Sequence, residues 1–219
     1  MQKLSLDLFS SFKDEFYSNA KQVEFSPRVV PFYSEDLDSS FYIVLDGRIR
    51  AYRQNVTTLR EQTLFIYRRG DMLDVVALLG GGASQMLYET MDRCTLLEVS
   101  MTRSREWLNS SSEFREFVFR YVASKIKHLE DLASQGALFT LKERLVMLLR
   151  ASADENDHFN YAILEDLSNS EVASLLGSVR SVLERSLKEL ESDGVVESKR
   201  RHILIKDLQK LLNESKKLS

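Results

Sequence analysis

The sequence predicts an α+β fold, and three observations predict it. Short, turn-punctuated runs of β-forming residues fill about the first hundred positions; one uninterrupted apolar heptad stripe follows; two short helices and a basic hairpin come last. The expected boundaries are 1–111 for a β-roll, 112–137 for a long helix and 138–219 for a winged helix-turn-helix.

Residues 1–20 carry a helical apolar stripe (Leu4, Leu6, Leu8, Phe9, Phe12, Phe16) suited to packing on the roll. Phe41–Leu45 reads as a strand, Asp46-Gly47 as a turn, and the next strand alternates Ile49 and Ala51 inward with Arg48 and Arg50 outward. Thr63–Tyr67 is a further strand, closed by Arg69-Gly70-Asp71; Leu87–Thr90 and Thr95–Ser100 make two more. Strands this short and this regularly interrupted suit a small antiparallel roll or barrel. Gly80-Gly81-Gly82 is either a loop where backbone approaches a ligand or a flexible connector.

The middle segment, about Ser112 to Gly136, places Phe119, Val122, Ile126, Leu129, Ala133 and Gly136 at alternating spacings of three and four, the pattern of a coiled-coil seam. Packing within one chain is the alternative. A helix of this length between two small domains favours a dimer spine, with close approach at Ala133 and Gly136. Thr140 and Glu143 form a capping box that starts a new helix through Leu149, so 136–140 reads as a hinge.

In the last part Ser168 precedes an apolar-periodic run (Val172, Ala173, Leu175, Leu176) with Glu171 three residues on, a second capping box. Gly177 permits the turn that ends this helix. Ser178 is the expected cap of a second helix, 178–191, with Val182, Leu183, Leu187 and Leu190 inward and Arg180, Ser181, Glu184 and Arg185 off that face. Two short helices about a glycine turn make a helix-turn-helix, and an arginine fork early in the second can bond guanine O6 and N7 together. A helical hairpin with merely solvated charges would look similar. The continuation favours DNA: strands at Val195–Glu197 and Ile203–Lys206 flank Lys199, Arg200 and Arg201, a wing tip suited to phosphate.

Composition limits the rest. The chain has 219 residues, 43% of them hydrophobic, which suffices for a packed core. No apolar run approaches roughly 18 residues and no signal-peptide pattern opens the sequence, so no membrane partner and a cytoplasmic location are expected. The single cysteine, Cys94, rules out an internal disulfide, and His128, His158 and His202 have no metal-ligand spacing, so no metal and no cofactor are expected. No paired carboxylates, serine–histidine arrangement or phosphate-cradling loop supports an enzyme. A net charge of −3 disfavours bulk attraction to nucleic acid, so any DNA contact is local.

In this order and at this length, the parts resemble the family of the cyclic-AMP receptor protein and the fumarate-nitrate regulator, CRP/FNR. The resemblance spans essentially the whole chain and is most specific at Leu167–Arg180, Val182–Gly194 and Tyr42–Gly47. It implies a cyclic-nucleotide-binding-like roll and a homodimer on an inverted-repeat operator in double-stranded DNA, with RNA polymerase a further partner. By the resemblance Arg180, Ser181 and Arg185 fall on base-reading positions, and Ser168, Asn169, Ser170 and Ser178 on phosphate-contacting ones. Ser181 replaces a glutamate that reads cytosine in the cyclic-AMP receptor protein, which implies a different half-site.

Cyclic-AMP binders of the family carry a glutamate for the ribose and an arginine for the phosphate. Here the equivalent stretch, Gly70–Tyr88, offers Asp74 or Val75 for the first and Ser84, Gln85 and Met86 for the second, with no cation. An unpartnered buried anion is costly, so the effector is expected to be another molecule, or absent. No cysteine in Met1–Ser40 can hold an iron–sulfur cluster. Cys94 is a small buried hydrophobe or a redox sensor. The competing function is a ligand-sensing module whose winged domain contacts protein instead of DNA.

Overall fold

The computed structural model describes residues 13–82, 85–152, 164, 166–199 and 201–216. Leu4, Leu6, Leu8, Phe9, Phe12, Ser84, His158 and Arg200 lie outside the described residues. Two units divide the chain: Met1–Arg53 with Leu64–Leu129, and Gln54–Thr63 with Glu130–Ser219.

In the first unit, strands β1 (Lys21–Phe25), β7 (Cys94–Ser100), β2 (Ser40–Asp46) and β5 (Met72–Leu73) form a four-stranded sheet in that order. Strands β4 (Glu61–Tyr67), β3 (Ile49–Gln54) and β6 (Leu87–Thr90) form a second sheet, of which Gln54 and Glu61–Thr63 are counted with the second unit. β2 pairs antiparallel with β7, placing Tyr42 opposite Glu98 and Ile43 opposite Leu97. Its apolar run is continuous because both faces are covered. Tyr42 and Val44 face the second sheet's Ile49, Ala51, Tyr67 and Tyr88. Phe41 and Ile43 face a helical layer that includes Phe16 of α1 (Lys13–Asn19), Trp107 of α4 (Met101–Ser110), and Phe114 and Tyr121 of α5 (Ser112–Leu138). Gly47 makes the β2–β3 turn at φ +83°, and an added Cβ would meet the Arg93 carbonyl oxygen at 2.4 Å.

Arg50 departs from the expected pattern. It is not a solvated outward residue: it is only 9% exposed, donates to Glu89 from Nε at 3.0 Å and from Nη2 at 2.6 Å, and lies over the Tyr52 ring. The paired carboxylate supplies what water would, which is why a cation sits on a strand face that alternation alone assigns to solvent.

The spine helix α5 ends at Leu138, two residues beyond the expected Gly136, and α6 (Leu141–Ser152) follows at once. Thr140 donates from its amide to Glu143 Oε2 at 2.7 Å, the reciprocal bond of the capping box.

In the second unit, α6, α7 (Asn169–Leu175), α8 (Arg180–Ser192) and α9 (Leu208–Lys216) surround a core that includes Leu145, Leu149, Val172, Leu183, Leu187, Leu190 and Leu211. The hairpin of β8 (Val196–Lys199) and β9 (His202–Ile205) pairs Val196 with Ile205 and Lys199 with His202. The wing therefore starts one residue later than expected. Gln54–Thr63 joins this unit through Thr63, whose amide donates to Ser174 Oγ at 3.0 Å, both residues being buried.

Candidate nucleic-acid interface

The capping box places the start of α7. Glu171 donates its amide to Ser168 Oγ at 3.3 Å, while the Ser168 amide donates to Glu171 Oε2 at 2.8 Å. Gly177 takes φ +61° in the turn, a conformation that an L side chain resists. The expected cap at Ser178 is not observed. The Ser178 amide instead donates back to the Ala173 carbonyl at 2.8 Å, so the chain is still leaving α7 at this point. Val179 is the extended residue before the second helix, and α8 runs Arg180–Ser192 rather than 178–191.

This start fixes the helix phase. Leu183, Leu187 and Leu190 are buried as expected, joined by Ser186, whereas Val182 is 43% exposed and faces outward. Ser186 donates to the Val182 carbonyl, which satisfies a hydroxyl that the core would otherwise strand. Arg180, Ser181 and Arg185 are exposed on the opposite side.

Two grooves flank α8. One, of about 500 Å³, is lined by Ser168, Asn169 and Ser170 at the start of α7, by Arg180, and by Ser198, Lys199 and Arg201 of the wing. The other, of about 610 Å³, includes Ser181, Glu184, Arg185 and Lys188 in its lining. Residues from three separate stretches are thus gathered about one helix. Ser178 does not line either groove, and Arg200 is outside the described residues. The wing is anchored where Ser198 donates its amide to Glu191 Oε1 of α8 at 2.6 Å. Glu197 holds Lys199 at 3.5 Å and Lys206 at 3.1 Å, so the wing's charge is not purely basic.

Glu184, placed off the apolar face by the sequence but given no role there, is paired in the structure. Arg180 Nε donates to Glu184 Oε1 at 2.6 Å, and the Asn169 side chain helps to stabilise this carboxylate's charge. The Arg180 bond leads in holding the Glu184 carboxyl below the usual range, so it is an ionised acceptor at neutral pH. The i, i+4 spacing was a signal for the pair.

In the first unit, the stretch equivalent to a phosphate-binding cassette contains α3 (Val75–Leu78), preceded by Asp74 in the left-handed region at φ +43°. Arg105 and Lys125 reach this stretch from outside it. Arg105 donates to the Ala77 carbonyl at 2.8 Å, and Lys125 pairs with Asp71 at 2.8 Å beneath the Phe65, Tyr67 and Tyr121 rings. Both are engaged by protein groups. Aromatic rings pack between the sheets, with Phe32 stacked on Tyr42 at 4.9 Å and Tyr67 on Tyr88 at 6.4 Å. Cys94 is fully buried, donates weakly to the Arg48 and Asp92 carbonyls, and has its thiol pushed up to about 11 by burial. A thiol so protonated is a poor nucleophile, which favours the buried-hydrophobe reading.

The spine seam is largely uncovered. Phe119 is 55% exposed, Ile126 53% and Leu129 41%; Ala133 and Gly136 are also exposed, while Val122 packs partly on the core. Among the described residues no metal-binding group of His, Cys, Asp and Glu gathers, and no helix is long and apolar enough to cross a membrane.

Comparison with known proteins agrees with this geometry. The cyclic nucleotide-binding domain family matches residues 22–111, and the Crp-like helix-turn-helix domain family matches residues 143–214. The CRP-like cAMP-activated global transcriptional regulator of Mycobacterium tuberculosis is 21% identical over 180 residues, covering 80% of this chain and 79% of the relative. The CRP-like protein Clp of Xanthomonas euvesicatoria is 22% identical over 209 residues, covering 92% and 90%. Among solved structures, the c-di-GMP-responsive regulator CLP of Xanthomonas campestris superposes with a TM-score of 0.77 at 18% identity, covering 90% of this chain and 99% of that one. FixK2 of Bradyrhizobium japonicum follows the same fold, with a TM-score of 0.72 at 19% identity over 89% and 96%. With a roll that matches the cyclic nucleotide-binding domain family, a long helix and a Crp-like helix-turn-helix in this order, the chain belongs to the CRP/FNR family of transcriptional regulators.

Proposed function

We propose that this regulator acts as a homodimer that reads an inverted-repeat operator, inserting α8 into the major groove of each half-site. Arg180, Ser181 and Arg185 read bases; Ser168, Asn169, Ser170, Lys199, Arg200 and Arg201 hold phosphates. The observation that carries this reading is the exposed Arg180–Arg185 face of α8, opposite the buried Leu183–Leu187–Leu190 face and beside a groove that joins α7 to the wing. Phosphate contacts fix register, while base edges give sequence preference. Phe119, Val122, Ile126, Leu129, Ala133 and Gly136 supply the dimer seam. The effector is a molecule other than cyclic AMP, or absent: Arg105 and Lys125, which reach the cassette, are engaged by protein groups, and aromatic rings pack between the sheets.

The test is selection from random duplex DNA by the purified full chain at physiological salt, with and without cyclic AMP. The expected product is a two-fold-symmetric site whose half-sites lie about one helical turn apart, enriched equally in both conditions. Failure to enrich any sequence, alone or with cell metabolite extract, would overturn the DNA-reading function. A site enriched only with cyclic AMP would overturn the effector assignment alone.

A further inference from the structure

We propose that Glu184 is a further specificity-determining residue, accepting a hydrogen bond from the exocyclic amino group of a cytosine while holding Arg180 to read the neighbouring base pair. This rests on the DNA-reading function above and adds a base contact to it.

Position comes first. Glu184 lines the groove on α8 that Ser181, Arg185 and Lys188 share, not the groove that contains the wing. A helix seated in the major groove turns such a face towards base edges. Geometry comes second. Glu184 Oε1 takes only the Nε donor of Arg180, at 2.6 Å. A guanidinium has five N–H donors, so four remain on the two Nη groups, enough for guanine O6 and N7. Asn169 at the start of α7 adds to the stabilisation of the same carboxylate, so a second polar side chain lies near Glu184.

Chemistry selects the base. An ionised carboxylate has acceptors and no donor. In the major groove only cytosine N4 and adenine N6 donate. Adenine presents its N7 acceptor beside N6, which repels a carboxylate and suits an amide. Cytosine is therefore the matching base. Against phosphate the same carboxylate is repulsive, so it penalises DNA that offers it no amino group.

The experiment repeats the selection with the wild-type chain and with Glu184→Gln, Glu184→Ala and Arg185→Ala, followed by competition binding. Glu184 is a partly exposed side chain on a helix surface, so thermal melting of its variants is expected to match wild type. The wild type is expected to prefer cytosine by about ten-fold at one position of each half-site. Both Glu184 variants should lose that preference and weaken the choice at the neighbouring pair that Arg180 reads, with the other positions unchanged, and the glutamine variant should turn towards adenine. Persistence of the cytosine preference in either variant, or losses spread evenly over the half-site, overturns the proposal. If Arg185→Ala alters the selected site while the Glu184 variants do not, this contact falls and the DNA-reading function stands. If the wild type selects nothing, both fall together.

Discussion

Arg185 and Lys199 are both exposed cations, and the proposed function gives them different work. Arg185 lies on the outward face of α8, whereas Lys199 ends a wing strand beside Glu197. Replacing Arg185 with alanine should cost about 1–3 kcal/mol on the preferred operator and relax one base pair, as read by competition with mutated sites. Replacing Lys199 should weaken all sequences alike and lower the slope of log affinity against log salt by about one. Equal, sequence-blind losses at both positions would remove the base-reading role from Arg185. Cys94 gives a residue-scale expectation of another kind. Its thiol is held protonated by burial, with nearby Asp92 adding to the effect, up to about 11. Because the folded form keeps this proton more tightly than the unfolded chain, the associated stability is complete below the unfolded thiol's value and is lost as pH rises towards 11. At pH 8, iodoacetamide should leave Cys94 unlabelled in the native protein and label it in urea, as mass spectrometry would report. Rapid native labelling would reopen a redox role.

At the scale of elements, local patterns were legible and long-range ones were not. The capping boxes at Ser168–Glu171 and Thr140–Glu143 could be found because both partners lie within one turn. The start of α8 was misplaced because Ser178, a good capping residue by type, still donates its amide back to Ala173. That shift moved Val182 out and Ser186 in. The seating of Arg105 and Lys125 near the cassette, of Arg50 against Glu89, and of Thr63 on Ser174 depends on residues 27 to 111 positions apart, so no window of sequence contains it. The corrected helix phase has an energetic consequence. Leu183→Ala should destabilise the folded chain by about 2–5 kcal/mol, because Leu183 is fully buried. Val182→Thr should stay within about 0.5 kcal/mol, because that side chain already meets solvent. Urea unfolding followed by circular dichroism measures both. Equal costs would restore the phase in which Val182 faces the core.

For the whole molecule the question is what covers the spine. Phe119, Ile126 and Leu129 repeat at coiled-coil spacing, and each is more than 40% exposed in the single chain. Within the same helix, Phe114, Phe117, Val118 and Tyr121 are buried against the roll, so α5 spends one face on its own protomer and leaves another unpartnered. In the proposed homodimer a second copy presenting the same stripe would cover it by two-fold symmetry, which is also the symmetry of an inverted-repeat operator. Ile126→Glu discriminates between this and a spine that works alone. Ile126 is exposed in the protomer, so a charge there should leave circular dichroism unchanged. In a paired seam the same charge loses its water and meets its own copy across the axis. Sedimentation should then show a dimer for the wild type and a monomer for the variant at the same micromolar concentration. Binding to a full inverted repeat should fall to the affinity of a single half-site. A variant that stays dimeric would move the interface off this seam; one that is monomeric but still binds the full site with wild-type affinity would separate operator reading from dimer formation.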